Sequence, residues 1–329
     1  MKTSDFSYIL PEELIAQTPA EPRDSSRLMV LHRQDKTWKH DRFFNIGSYI
    51  RRGDILILNE SKVFKARISG ICNKKKVAVF LLRPENTLWS ALVKPWRNID
   101  VGSIIKFDDS FTATVIAKLE NGTVTLDFSR STENVFSFME KNGSVPLPPY
   151  IHTTIQEKNY QTIYAKHIGS VAAPTAGFHF TPELIQQLKK KGVQFAYITL
   201  HVGLGTFRPM IHKTIEEHTM HSEWVHVSEE TMEKIQKTKS QGGRVIAVGT
   251  TSVRALESGM RNGYTNIFIQ PGYTFKIIDA MITNFHVPVS TLLVLISAFA
   301  GHEFVLKAYT EAIHQKYRFY SFGDAMFIE

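Results

Sequence analysis

Residues 169–192 read GSVAAPTAGFHFTPELIQQLKKKG, and two kinds of structure meet in that stretch. Up to Phe180 it is built of Gly, Ala, Ser, Thr and Pro, closed by Phe178-His179-Phe180. Small residues let a backbone approach a ligand, and Gly177 is free to take φ > 0. From Thr181 onward both ends of a helix are marked. Thr181 is an N-cap, Pro182 stands where a missing N–H costs nothing, and Glu183 faces the positive end of the dipole. Lys189, Lys190 and Lys191 fill the last turn and Gly192 stops it. A ligand-shaped loop thus runs into a helix start, where free N–H groups hold an anion or a polar ligand edge.

The pattern continues downstream. Residues 193–202, VQFAYITLHV, read as a strand, and Gly203 and Gly205 follow in a tight loop. Ser228 caps a helix that runs to just before Gly242-Gly243. A strand at 244–249, a short helix from about Ser252 and a strand at 266–269 come next. Ser290 caps the apolar helix 291–300, and a further helix covers roughly 303–317. Strands alternating with helices predict βαβ units and a mostly parallel sheet covered on both faces.

Upstream, residues 11–17 read as a short helix. Residues 28–31 and 54–58 are apolar runs with the character of buried strands. Arg23, Asp24, Ser26 and Arg27 precede the first, and Asn59-Glu60-Ser61-Lys62 closes the second. Two such strands need a sheet to join. Residues 1–62 and 152–329 therefore read as one discontinuous α/β domain. The segment between, 63–151, alternates apolar and polar residues in short runs broken by Gly, Pro, Asn and Asp. That texture predicts a smaller inserted antiparallel β-barrel. The segment is dense in Lys65, Arg67, Lys74, Lys75, Lys76, Lys94 and Arg97, with Trp89 and Trp96 among them. Such interleaving either grips single-stranded nucleic acid or marks a solvated strand face over core tryptophans.

The chain has 329 residues, with 39 Lys and Arg against 31 Asp and Glu, a net charge of +8. That excess suits a polyanionic partner. The one cysteine, Cys72, excludes an internal disulfide and a cysteine zinc cluster. No apolar run reaches the length of a membrane span, and the first residues lack a signal-peptide core, so a cytoplasmic protein is expected.

Four polar loops follow strands or precede helices, at 169–181, 201–209, 249–254 and 283–291. They carry His179, His201, Arg254 and His286, and in an open α/β sheet they can converge at one edge. The run Glu217-His218-Thr219-Met220-His221-Ser222-Glu223 offers a second reading, in which His218, His221 and Glu223 ligate a metal. It lacks the spacing of the HExxH proteases. The run 245–257, VIAVGTTSVRALE, has one glycine and no GxGxxG. Thr250, Thr251 and Arg254 at a helix start still suit a ribose, a carboxylate or a phosphate.

Ordered along the chain are DFSYILPEELIAQTPAEPRDSSRLMVL, SVPLPPYI, YQTIYA, GSVAAPTAGFHFT, LHVGLGTFRP, EEHTMHSE, VIAVGTTSVRALE, IQPGYTFKIIDAMITNFHVPVSTLLVLISAFAG and YRFYSFGDAM. These runs resemble the S-adenosylmethionine:tRNA ribosyltransferase-isomerases of queuosine biosynthesis. The resemblance is collinear and reaches both ends, thinning only at about 70–142. Where the family tends to read N-D-[ST]-[KR]-V-[IL]-P-A-R-L, this chain has NESKVFKARI, which puts the tightness of that turn in doubt. Asn59, Lys62 and Arg67 are retained.

The resemblance implies a large α/β domain with an inserted barrel, acting as a cytosolic monomer. It implies transfer and isomerisation of the ribosyl part of S-adenosylmethionine onto 7-aminomethyl-7-deazaguanine at the tRNA wobble position. S-adenosylmethionine is consumed as a co-substrate, with no resident cofactor or metal and no membrane. Acid–base chemistry is then expected among His179, His201, His221 and His286, with Glu217 a further base. Phe178, Phe180 and Phe285 are expected to face adenine or the sulfonium. Arg23, Asp24, Arg27, Asn59, Lys62 and Arg67 are expected on substrate polar groups or tRNA phosphate. Thr175, Thr250, Thr251, Arg254 and Asn284 complete the substrate-binding set. The N–H groups at the start of the 182–191 helix are expected to take the methionyl carboxylate, with tRNA phosphate second. Two rival readings remain at this point: a non-catalytic RNA-binding protein, and a metal-dependent hydrolase.

Overall fold

The computed structural model describes residues 1–85, 87–120, 122–153, 155–203 and 209–329. In chain order the strands begin with β1 (Arg27–His32), β2 (Thr37–Arg42), β3 (Ile55–Asn59) and β4 (Ser61–Val63). Next come β5 (Arg67–Cys72), β6 (Lys75–Glu85), β7 (Leu88–Lys94), β8 (Ile104–Lys106), β9 (Thr112–Lys118) and β10 (Val124–Asp127). Helix α1 (Thr132–Asn142) and β11 (His167–Ser170) follow. The remainder alternates: α2 (Pro182–Lys191), β12 (Gln194–Leu200), β13 (Glu223–His226), α3 (Glu229–Ser240), β14 (Val245–Val248), α4 (Thr250–Glu257), β15 (Asn262–Thr265) and β16 (Ala280–Asn284). It ends in α5 (Thr291–Ala300), α6 (His302–His314) and β17 (Ala325–Ile328).

The chain divides into two compact units. One comprises Met1–Ser61, Pro148–His167 and Ala173–Glu329; the other comprises Lys62–Leu147 and Ile168–Ala172. The first holds a nine-stranded sheet in the order β15-β13-β12-β3-β14-β16-β17-β1-β2. Its centre, β12, β3, β14 and β16, is parallel throughout. Strand β17 returns antiparallel to β16 and runs parallel to β1, while β2, β13 and β15 add antiparallel edges. Strands β3, β14, β16 and β17 are buried at every position, as a sheet covered on both faces requires. Leu56, Leu58, Ile246, Val248, Ile282 and Phe327 pack on one face with Phe43, Phe180, Leu184 and Leu188.

The helix ends follow the local chemistry. Thr181, Ser228 and Ser290 each accept a hydrogen bond from the backbone N–H three residues on, and Gly192 takes the left-handed conformation at φ 89°. Elsewhere the structure departs from expectation. Residues 11–17 hold only a 3-10 turn, Glu12–Leu14. The strand expected at 266–269 lies at Asn262–Thr265, an edge strand with little apolar signal. Strands β2 and β17 and helix α1 were not expected at all.

The second unit is a closed barrel in the order β10-β7-β6-β5-β8-β9, with all pairings antiparallel. Strand β5 alternates exposed and buried residues, as a period of two demands. Trp89 is fully buried against Phe64 and Phe136, so it is a core residue and not a nucleic-acid contact. Trp96 stays exposed beneath the Lys118 ammonium. Cys72 is a buried apolar filler.

The amino-terminal edge of the central sheet is sealed by charge. Asp54 accepts from Arg51 N (2.8 Å), Arg244 N (2.9 Å) and the Arg244 guanidinium (2.8 Å). Arg244 also reaches Glu329 at 2.6 Å, beside the end of β17. Removing one member of a buried pair leaves its partner desolvated and uncompensated. Asp54→Ala is therefore expected to destabilise the α/β unit by about 3–5 kcal/mol, read as a lowered midpoint of chemical denaturation.

Candidate functional site

All four central parallel strands end at the opposite edge, and the groups that follow them gather there. A cleft at this edge is lined by Ala173–Ala176 of one loop, Gly249, Thr250 and Thr251 at the start of α4, and residues 283–287 after β16. Tyr150, Val202, Leu292, Tyr320 and Ser321 complete it. Three of the four expected loops thus supply its wall directly. The fourth contributes Val202, while Leu204–Arg208, including Gly205, lie outside the described residues.

Two glycines make the approach possible. Gly249 turns β14 into α4 at φ +88°, a conformation that strains other residues. Gly177 is needed for space and not for its dihedral, since a Cβ there would fall 2.0 Å from the Tyr164 hydroxyl.

Two polar atoms in the cleft wall have no hydrogen-bond partner among the described residues: Asn284 Oδ1 and Thr251 Oγ1. Asn284 is 2% exposed and Thr251 9%. Asn284 Nδ2 is engaged, donating to the Tyr320 carbonyl (3.1 Å) and to His179 Nε2 (3.3 Å). Because Nε2 accepts, His179 carries its proton on Nδ1 and donates it to Ser26 Oγ at 2.7 Å. His179 therefore stands one layer behind the cleft and fixes the orientation of Asn284. Burial depresses its pKa to about 3, helped by the Arg318 charge.

His286 lines the cleft itself. Its Nε2 shares a 2.8 Å hydrogen bond with Thr283 Oγ1, and burial holds its pKa down at about 3. Tyr309 and Tyr8 hydroxyls pin its backbone. His201 shares a hydrogen bond between Nδ1 and Ser61 Oγ (2.8 Å) and stacks on Trp224. Burial, then the His167 charge, lowers it to about 4.

A second cleft is lined by His218, Met220, His221, Glu223, Arg254, Thr291 and Leu292. Leu292 borders both clefts. Arg254 Nη1 is paired with Glu223, whose Oε1 accepts from Gly203 N at 3.0 Å. Arg254 Nη2 has no partner among the described residues. No three His, Cys, Asp or Glu side chains among them come together to hold a metal ion. His218, His221 and Glu223 border one cleft, and the Glu223 carboxylate is engaged by Arg254 and Gly203 N.

The other expected site residues are placed elsewhere or otherwise occupied. Asn59 donates to Leu200 O and accepts from Leu200 N and Ser61 N, so its amide is spent clasping β3 to β12. Phe180 is fully buried in the core cluster, where its role is packing. Arg23 donates to the carbonyls of Gln161 and Lys158 and stands over Phe178, with His179 beside the same small recess. Arg27 donates to Gln315 O and stacks 3.7 Å above Tyr317. The start of α2 is taken by the chain itself: Thr181 caps Leu184 N and donates to Asp24. Residues Thr181–Glu183 line neither cleft. Glu217 is exposed in a 3-10 turn. Lys62 and Arg67 belong to the barrel unit, where Arg67 borders a groove with Phe107, Phe138 and Ser144. Thr175, Thr250, Thr251, Asn284, Phe285 and His286 share the first cleft, whereas Arg254 and His221 share the second. Sequence reasoning passed over Thr283, Tyr150, Tyr320 and Ser321. Thr283 opens the polar loop at 283–291, and the other three lie in runs that carry the family resemblance.

The model of the queuosine biosynthesis protein family matches residues 3–328. An S-adenosylmethionine:tRNA ribosyltransferase-isomerase of Thermosipho melanesiensis is 51% identical over 337 residues, covering 100% of both chains. Its counterpart in Thermotoga petrophila is 49% identical over 339 residues, again covering 100% of both. Among solved structures, an S-adenosylmethionine tRNA ribosyltransferase from Thermotoga maritima is 40% identical, with a TM-score of 0.58. That match covers 99% of this chain and 100% of that one.

Three histidines, His179 buried and His201 and His286 half-buried, make a pH prediction. Each has its folded pKa below the ordinary 6.5, so the unfolded chain binds protons that the folded chain refuses. Stability is complete above about 6.5 and falls as pH drops toward 4, by at most about 1.4 kcal/mol per pH unit for each histidine. Denaturation of the His179→Asn variant between pH 6 and 5 is expected to show a slope shallower by about one proton. An unchanged slope would contradict the buried neutral state.

Proposed function

Since the chain belongs to the queuosine biosynthesis protein family, we propose that the cleft beyond β14 and β16 is where S-adenosylmethionine gives up its ribosyl group. The enzyme is an S-adenosylmethionine:tRNA ribosyltransferase-isomerase of queuosine tRNA modification. It transfers and isomerises the ribosyl moiety onto 7-aminomethyl-7-deazaguanine at the wobble position. The product is epoxyqueuosine in tRNA, with adenine and methionine released. S-adenosylmethionine is consumed, and the reading includes no resident cofactor and a monomeric, cytosolic enzyme.

One observation supports the placement above the rest. Asn284 Oδ1 and Thr251 Oγ1 are buried polar atoms without partners among the described residues, on the wall of one cleft. Leaving such groups unpaired costs about 1–3 kcal/mol each, so a ligand that bonds them recovers it. The sulfonium acidifies the ribose 5′ carbon, and a base must take a proton there. His286 is the acid–base candidate in contact with the substrate. Thr283 occupies its Nε2, which leaves Nδ1 for the reacting group. With Nε2–H donating to Thr283 Oγ1, Nδ1 keeps its lone pair, and burial keeps the ring neutral while lowering its basicity. His179 is a positioning residue that acts through Asn284. Phe285 is fully buried against Tyr309, Tyr317 and Phe319, so its ring packs behind the cleft, and the aromatic side chains left on the wall for adenine are Tyr150 and Tyr320. His221 borders the second cleft, and His201 lines neither cleft.

The barrel unit is the proposed tRNA contact. Residues 62–147 hold 13 Lys and Arg against 8 Asp and Glu, so 13 − 8 = +5 of the chain's +8 lies there. Fixed positive charge of this kind draws phosphate without reading sequence.

Adenine release is the direct assay. It is expected with S-adenosylmethionine plus an anticodon stem-loop carrying 7-aminomethyl-7-deazaguanine, and not with the unmodified stem-loop. Absence of release from the modified stem-loop would overturn the activity. Thr251→Val removes the hydroxyl at nearly constant shape. It is expected to raise KM for S-adenosylmethionine about tenfold with the melting temperature unchanged or higher. An unchanged KM would overturn the placement.

A further inference from the structure

We infer that the buried Arg254–Glu223 pair recognises the amino-acid head group of S-adenosylmethionine, Arg254 taking the α-carboxylate and Glu223 the α-ammonium. The inference rests on the reading that S-adenosylmethionine is the substrate, and it says where the methionyl end lies. Arg254 and Glu223 are each 5% exposed, yet both border the second cleft. The guanidinium is incompletely used: Nη1 is paired with Glu223 and Nε donates to Ile267 O at 3.2 Å. Nη2 has no partner among the described residues. A buried, charged N–H without an acceptor is costly and asks for an anion.

The charge balance narrows which anion. Arg254 and Glu223 neutralise each other, so a lone anion or cation would leave a net buried charge. A zwitterion leaves none, and it offers a carboxylate to the guanidinium and an ammonium to the carboxylate. Thr291 and Leu292, the first residues of the ten-residue helix α5, border the same space. Their end of the helix dipole favours a carboxylate. Met220 and Leu292 supply an apolar wall for the methylenes between head group and sulfur. Leu292 borders both clefts, and Thr251 and Arg254 project from the same helix, α4. A methionyl tail seated in the second cleft thus directs its sulfonium and ribose toward Thr251, Asn284 and His286. The expected anion site at the start of α2 is thereby replaced by one at Arg254.

The test compares S-adenosylmethionine with decarboxylated S-adenosylmethionine in the adenine-release assay on the full chain. The wild type is expected to lose at least about 100-fold in kcat/KM on the decarboxylated substrate. Arg254→Lys keeps a cation opposite Glu223 but loses the planar fork. It is expected to raise KM for S-adenosylmethionine at least about tenfold and to cost the decarboxylated substrate less, so that the gap between the two narrows. Equal use of both substrates by the wild type would overturn the proposal, as would an equal loss on both in the variant. Should Arg254→Lys fail to fold, the wild-type comparison alone decides. In each contrary case turnover of S-adenosylmethionine itself leaves the ribosyl-transfer activity standing, so the two failures are distinct.

Discussion

Parallel pairing forces neighbouring strands to end on the same side, and the rest of the α/β unit follows from that constraint. Strands β12, β3, β14 and β16 deliver Leu200, Asn59, Val248 and Asn284 to one edge. Backbone groups that leave the ladder there must find new partners, because buried ones cannot be left to water. Asn59 meets part of that need with its own amide, bonding Leu200 on both sides. Glu60 N reaches back to Ile198 O at 2.9 Å. The polar groups left over after this closure are the ones available to a ligand.

The two edges of the sheet solve the same problem in opposite ways. At the amino-terminal edge, Asp54, Arg244, Asp279 and Glu329 satisfy the strand starts with charged hydrogen bonds; Val245 N, for one, donates to Asp279 at 2.8 Å. At the carboxyl edge, neutral imidazoles and hydroxyls stand beside the buried Arg254–Glu223 ion pair, and Asn284, Thr251 and Arg254 each keep one polar atom without a partner among the described residues. Preorganised dipoles in a buried wall interact with substrate more strongly than the same groups would in water. The supporting layer is as specific as the wall, since Ser26, His179 and Asn284 form one chain from β1 to β16.

Much of this was legible in the residues. The caps at Thr181, Ser228 and Ser290 and the stop at Gly192 name their helices, because capping is a local matter of one side chain and one N–H. The unbroken apolar runs of β3 and β14 announce strands buried on both faces. Strand β17, in the middle of the sheet, was not legible. Four apolar residues, Ala325–Ile328, carry no period, and only the tertiary pairing with β16 and β1 makes them a strand. The site was legible as a set of loops but not as a division of labour. Nothing in the sequence separates Asn59, whose amide is fully spent, from Asn284, which has one atom left over. Trp89 and Trp96 likewise look alike in the chain, though one is barrel core and the other surface. The histidines divide by depth: His286 at the wall, His179 behind it, His201 against Trp224.

On the proposed reading, S-adenosylmethionine is consumed at the carboxyl edge of the parallel strands. A crystal structure of the enzyme with S-adenosylmethionine tests it most directly. The ribose is expected beside Thr251 and Asn284, with its 5′ carbon within reach of His286. Density for the ligand at any other place, with that cleft occupied only by water, would contradict it.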